Sequence, residues 1–127
     1  MDTVLLAVNG GLMRGMRSHS VMLAAGARFM REDATASEYR MWSIDDEFPA
    51  MVRATQSGAC IALELWELTP EGFVSVLQRE PKGLSVAHVN LLNGDTVLGV
   101  VGEPILCEGR REITEFGGWR AYVESLE

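Results

Sequence analysis

The chain reads as an α+β domain: a small mixed, mostly antiparallel β-barrel, partly closed, with short flanking helices to one side. Three observations predict it. Five to seven short apolar segments run at strand spacing, separated by clear turn residues. Asn93-Gly94 lies between two of them, which is the strongest short hairpin signal. The gaps between segments are too short for the helical crossovers that a parallel sheet requires.

Taken in order, Val4–Val8 is a buried strand running into Asn9-Gly10-Gly11. His19–Ala25 has room for one or two helical turns, stopped by Gly26. Ala27–Arg31 and Glu38–Ile44 read as strands, followed by a polar turn at Asp45-Asp46-Glu47 with Pro49, then a brief strand at Met51–Ala54. Ala59–Leu68 is the clearest strand, with Ile61, Leu63 and Leu65 on one face and Ala62, Glu64, Trp66 and Leu68 on the other. Thr69-Pro70-Glu71 then starts a helix in the expected order of cap, proline and acid. Phe73, Val76 and Leu77 follow at helical spacing, and Pro81 with Gly83 ends the segment. Val86–Leu92 and Thr96–Val101 form the hairpin. Trp119, Tyr122, Val123 and Leu126 share one helical face, so a short helix docks there on the core.

The 127 residues fit one ordinary domain, 1–127, large enough to fold without a metal or disulfide. Hydrophobic residues at 47% against 23% charged mark a globular chain rather than a disordered one. No apolar run approaches the roughly 20 residues of a membrane span. Met-Asp-Thr lacks the basic start of a secretory signal, so a cytoplasmic location is expected. Cys60 and Cys107 have no partner pattern and read as small hydrophobes or free thiols. The net charge is −7, and its excess lies after Gly58, where 5 basic face 11 acidic residues. Such a field repels phosphate backbones, which argues against nucleic acid. Ten of the eleven cations are arginine, which holds a carboxylate by two parallel bonds, although compositional bias explains the same count.

Three features carry candidate chemistry. In Asn9-Gly10-Gly11-Leu12-Met13-Arg14-Gly15, glycines let the backbone approach a ligand and aim N–H groups at an anion, with Arg14 as a nearby cation. The competing reading is a tight turn needing positive φ. The loop is neither a P-loop nor a dinucleotide fingerprint, so no cofactor is expected. Glu80, at the end of a mostly apolar helix, is either a carboxyl tuned by burial for acid–base work or a solvated surface group. Glu64 interrupts an apolar face and points into a ligand cavity or into water. His19 and His88 stand far apart without a Cys/His cluster, so no metal site is expected. In Gly117-Gly118-Trp119-Arg120, Trp119 reads as a core anchor and Arg120 as a surface residue or second anion contact.

The order Asn9–Gly15, Gly26-Ala27-Arg28-Phe29, Tyr39-Arg40-Met41-Trp42 and Phe48-Pro49 resembles the first half of gamma-glutamylcyclotransferase-like proteins. The second half is more similar to the C-terminal domain of allophanate hydrolase, which shares that fold. That resemblance rests on Leu63–Leu68, Pro81–Val89, Gly99–Glu103 and above all Ile113–Tyr122, and the two together cover nearly the whole chain. It implies a stand-alone version of that domain, with Asn9–Leu12 lining the pocket. The cyclotransferase resemblance also implies Glu80 as acid/base. Asn9 stands where cyclotransferases have tyrosine, Gly11 where they have a hydroxyl residue, and Glu80-Pro81 where they have Glu-Gly.

Three functional expectations follow. The first is a domain holding a small carboxylated, amide or urea-derived compound through Asn9, Gly10, Gly11, Leu12 and Arg14, helping its breakdown or serving an amidase partner. The second is a cyclotransferase releasing 5-oxoproline, with Glu80 as acid/base. The third is an accessory protein, such as a homodimer, with a vestigial pocket.

Overall fold

The computed structural model describes residues 2–127. Eight strands occur in chain order: β1 Val4–Val8, β2 Arg28–Ala34, β3 Tyr39–Ile44, β4 Phe48–Arg53, β5 Ala62–Leu68, β6 Leu84–Asn90, β7 Thr96–Gly102 and β8 Arg111–Glu112. The helices are α1 His19–Ala24, α2 Pro70–Gln78, α3 Pro104–Cys107 and α4 Trp119–Ser125. The strands make a five-stranded sheet in the order β2-β5-β1-β7-β6 and a three-stranded sheet in the order β4-β3-β8. Every pairing is antiparallel except β1 with β7.

The mixed, mostly antiparallel α+β architecture agrees with the sequence reading, but the expected barrel is not a closed one. The larger sheet curls until its edges meet in one place, where Thr35 bridges Leu91. There Ala36 N–H donates to Asn90 O at 2.9 Å and Leu92 N–H to Ala34 O at 3.0 Å. No longer ladder joins β2 to β6. Beyond Thr35 the chain leaves that edge and spends its backbone bonds on the β3–β4 hairpin instead.

Several boundaries move for identifiable reasons. β2 continues through Arg31, Glu32 and Asp33, because an edge strand leaves charged side chains in water while β5 supplies the ladder. β4 begins at Phe48 and includes Pro49, which is tolerated because β4 is also an edge. In α4, Trp119 and Tyr122 are buried as expected, but Leu126 is 49% exposed and takes no part in that face. The start of α2 follows expectation: Thr69 Oγ1 accepts the Gly72 N–H at 3.1 Å and Pro70 stands at the first position.

Glu64 faces neither a cavity nor water. It lies on β5 opposite Val8 and is completely buried. Its Oε1 accepts from the Arg14 N–H at 3.0 Å and from Trp66 Nε1 at 3.1 Å. Its Oε2 accepts from Arg14 Nε and Arg120 Nη2, each at 3.1 Å. Arg120 also donates to the Arg14 carbonyl at 2.7 Å. One carboxylate therefore joins β5, the loop after β1, and α4. Burial by itself raises the Glu64 pKa, but the four donors outweigh it and hold the carboxyl below its ordinary value.

A carboxyl held below its unfolded pKa adds stability above that value and loses it as pH falls through the folded pKa. Glu64→Gln should therefore cost about 1–3 kcal/mol at pH 7 in urea unfolding. The gap to the unaltered protein should narrow below the ordinary carboxylate value of 4.5. A gap that does not change with pH would show that the negative charge contributes nothing.

Candidate functional site

β1 delivers the chain to Asn9, and the loop that follows forms one wall of a cavity of about 290 Å³. A second wall is the turn into β4, Glu47 to Pro49, and a third is Arg79-Glu80-Pro81 after α2. Val8 and Val100 contribute apolar surface. Asn9, Gly10, Gly11, Leu12 and Glu80, drawn from segments about seventy residues apart, thus come together on one cavity.

Neither of the first two glycines has positive φ, and close approach shapes the loop at Gly10. A Cβ on Gly10 would meet Pro49 Cδ at 2.5 Å, so a larger residue would push the loop off β4. Gly15 is the glycine that needs its freedom, with φ of 75°. Ser18 N–H donates to Gly11 O at 2.8 Å and Met13 N–H to Gly10 O at 3.0 Å, which closes the loop on itself. The N–H groups of Gly10, Gly11 and Leu12 have no acceptor among the described residues.

The opposite wall is also braced. Asp45 and Asp46 both adopt left-handed backbone, φ 56° and 59°, a conformation that aspartate tolerates in turns better than most residues. The turn is fixed at Asp46, whose Oδ1 accepts from Ser43 Oγ at 2.6 Å and from Tyr122 OH at 2.5 Å. Those hydroxyls hold its carboxyl below the ordinary value, Ser43 more strongly than Tyr122. Glu47 and Phe48 follow directly, so α4 steadies the cavity wall through Tyr122.

Glu80 lies two residues beyond α2, half-buried, and its carboxylate has no hydrogen-bond or ion-pair partner among the described residues. Burial pushes its pKa up to about 7. It thus divides between acid and base near neutrality, the condition for moving a proton in either direction.

The structure does not bring Arg14 to the cavity. Its guanidinium binds Glu64 and Glu32 and lies 3.7 Å from the Phe29 ring centre. The cations on the cavity walls are Arg17 and Arg79, both exposed and neither in an ion pair among the described residues. Arg17, Glu47 and Arg79 escaped the sequence reading. For Arg17 the signal was the left-handed Gly15 between the two arginines, which turns the chain back toward Gly11.

His19 stands behind the loop, its Nδ1 3.1 Å from Leu12 O and its ring packed on Trp66. His88 is exposed on β6. Among the described residues no cluster of His, Cys, Asp or Glu could hold a metal ion, and Cys60 and Cys107 are unpaired. No helix among them is long and apolar enough to cross a membrane.

Residues 4–124 match the family model of the allophanate hydrolase C-terminal domain, and the chain belongs to that family. Among individual proteins, it is similar to c4763, a uropathogenic E. coli-specific protein, with 47% identity, a TM-score of 0.95 and 98% of each chain covered. All of it superposes on 22% of the Kluyveromyces lactis allophanate hydrolase, with a TM-score of 0.93 and 24% identity. An aig2-like protein from Mus musculus shares the fold at a TM-score of 0.63 and 20% identity, over 81% of this chain and 78% of that one. The urea amidolyase of Saccharomyces cerevisiae is 26% identical over 132 residues, spanning 98% of this chain but 7% of that protein.

A carboxyl whose folded pKa is raised destabilises the fold as pH rises from the unfolded value toward the folded one, because only the unfolded chain ionises there. Glu80→Gln should therefore stabilise the protein by roughly 1–3 kcal/mol at pH 8. The gain should disappear near pH 4.5, the ordinary value from which the group is raised. Thermal unfolding at the two pH values checks this, and equal gains at both would refute it.

Proposed function

We propose that this chain is a small-molecule-binding domain that holds a small carboxylated, amide or urea-derived compound in the Gly10–Gly11 cavity and assists its breakdown. It acts alone or beside an amidase. The observation that carries this reading is Glu80, an unpaired, half-buried carboxyl on the same cavity as a loop of unpaired N–H groups. Membership in the allophanate hydrolase C-terminal domain family supports it.

In this reading Arg17 and Arg79, both on the cavity walls, hold the ligand's carboxylate, Arg17 foremost. The N–H groups of Gly10, Gly11 and Leu12 face the carbonyl oxygen and stabilise negative charge that develops there. A water molecule adds to the carbonyl carbon as Glu80 accepts its proton, and the C–N bond then breaks as Glu80 returns that proton to the departing nitrogen. The cavity volume of about 290 Å³ suits a compound of a few carbon and nitrogen atoms.

Calorimetry with hydantoate, a stable ureido carboxylate, tests the binding. Hydantoate should bind the unaltered protein, and Arg17→Ala should weaken it about 10–100-fold, as expected for a lost charge-assisted hydrogen bond. Arg14→Ala should weaken it less than Arg17→Ala does, because its guanidinium is spent on Glu64 and acts on the ligand only through the loop it holds. No detectable binding by the folded protein would overturn the proposal.

The position of Glu80 favours one second reading, a cyclotransferase. There the alpha-amine of a gamma-glutamyl amine attacks its own gamma-carbonyl carbon, a five-membered ring closes and the C–N bond to the amine breaks. Glu80 takes the ammonium proton and delivers it to the leaving nitrogen. Mass spectrometry should then find 5-oxoproline, with Glu80→Gln slower by about 10²–10⁴-fold. Absence of product from gamma-glutamyl amines would remove this reading.

A further inference from the structure

We infer that Asn9 selects the cavity's ligands by requiring an N–H donor, so that an amide or ureido group beside the carboxylate is bound and the matching ketone is not. The inference rests on the binding function proposed above and adds to it the chemical group that is recognised.

The argument lies in how the Asn9 amide is fixed. The residue is buried, with 5% of its surface left exposed. Nδ2 donates to Val100 O at 2.8 Å and approaches Met51 Sδ at 3.8 Å. Both contacts require the nitrogen on that side, so the orientation of the amide is not free to reverse. Its Oδ1 accepts nothing from the described residues, yet no fully buried side-chain oxygen or nitrogen among them is without a partner. The oxygen therefore keeps accessible surface, and Asn9 lines the cavity.

An acceptor held in this way shares the cavity lining with Gly10, Gly11 and Leu12, whose N–H groups are donors. Such a wall matches a group that carries both a carbonyl oxygen and an N–H. An amide satisfies both halves. A ketone or an ester offers acceptors alone and leaves Oδ1 facing a methyl group or an oxygen. Leaving a nearly buried acceptor unpaired is what gives hydrogen-bonding sites their power of rejection. The same wall disfavours a second carboxylate at this point, since its oxygens would meet Oδ1 without a proton between them.

Succinamate and levulinate test this directly. They share carboxylate, chain length and carbonyl, and differ only in NH₂ against CH₃. In titration calorimetry the unaltered protein should bind succinamate at least about tenfold more tightly than levulinate. In Asn9→Leu the preference should fall to about twofold or less, with thermal unfolding confirming that the variant is folded. If the unaltered protein binds both equally, the role of Asn9 is overturned and the binding function stands. If it binds neither of them nor hydantoate, the binding function fails and this inference with it. The unaltered protein alone decides between these outcomes should Asn9→Leu fail to fold.

Discussion

Glu64 places a negative charge where no water reaches it, and the surrounding chain is arranged to satisfy that charge. Four donors converge on its two oxygens, from a peptide N–H, an indole and two guanidinium groups. A buried ion is tolerated when every lone pair is met, and breaking such an arrangement leaves an uncompensated charge. The donors come from the loop after β1, from β5 itself and from α4, segments that share no local contact in sequence. The loop that lines the cavity is thus positioned from behind by an interaction that the cavity does not expose. Arg14 stays half in solvent, so the network is held between a dry carboxylate and a wet guanidinium.

The parts of the fold that were legible in the sequence are those whose physics is local. Thr69-Pro70 announces a helix start because the cap and the proline act within one turn. Asn93-Gly94 announces a hairpin because Gly94 must adopt a positive φ, here 95°. Glu64 is conspicuous as a charge on an apolar face, but its two arginine partners lie 50 and 56 residues away and are not readable from the sequence. The same blindness exchanged Arg14 for Arg17. Both follow the glycine loop, and only the tertiary partner Glu64 determines which one is left free for the cavity. Partial closure is expected from the sequence, but the place where the edges meet is not, since it depends on one bridge between distant segments.

Glu80 and Asn9 illustrate two ways in which a cavity stores chemical potential. Glu80 is held where its ionised form lacks compensation, so a proton resides there at neutral pH for part of the time. Asn9 is held where one end of its amide is satisfied and the other is not. Both keep a polar atom without a protein partner, and both line the same space. No fully buried side-chain oxygen or nitrogen among the described residues is left so, which confines this free capacity to positions a ligand can reach. The family's larger members carry this fold as a small fraction of their length, 22% in the Kluyveromyces lactis allophanate hydrolase.

The seam at Thr35 and Leu91 bears on behaviour at high concentration. Open sheets end in rows of unpaired amides that can template strands from other molecules. Here the two outer strands of the large sheet consume each other's amides where they touch. One of them, β2, adds Arg28, Arg31, Glu32 and Asp33 and a register shift between Phe29 and Arg31. In the smaller sheet, Pro49 withholds a donor from the β4 edge. At the seam an incoming strand finds the amides already spent, and along β2 it meets charged side chains and a break in register.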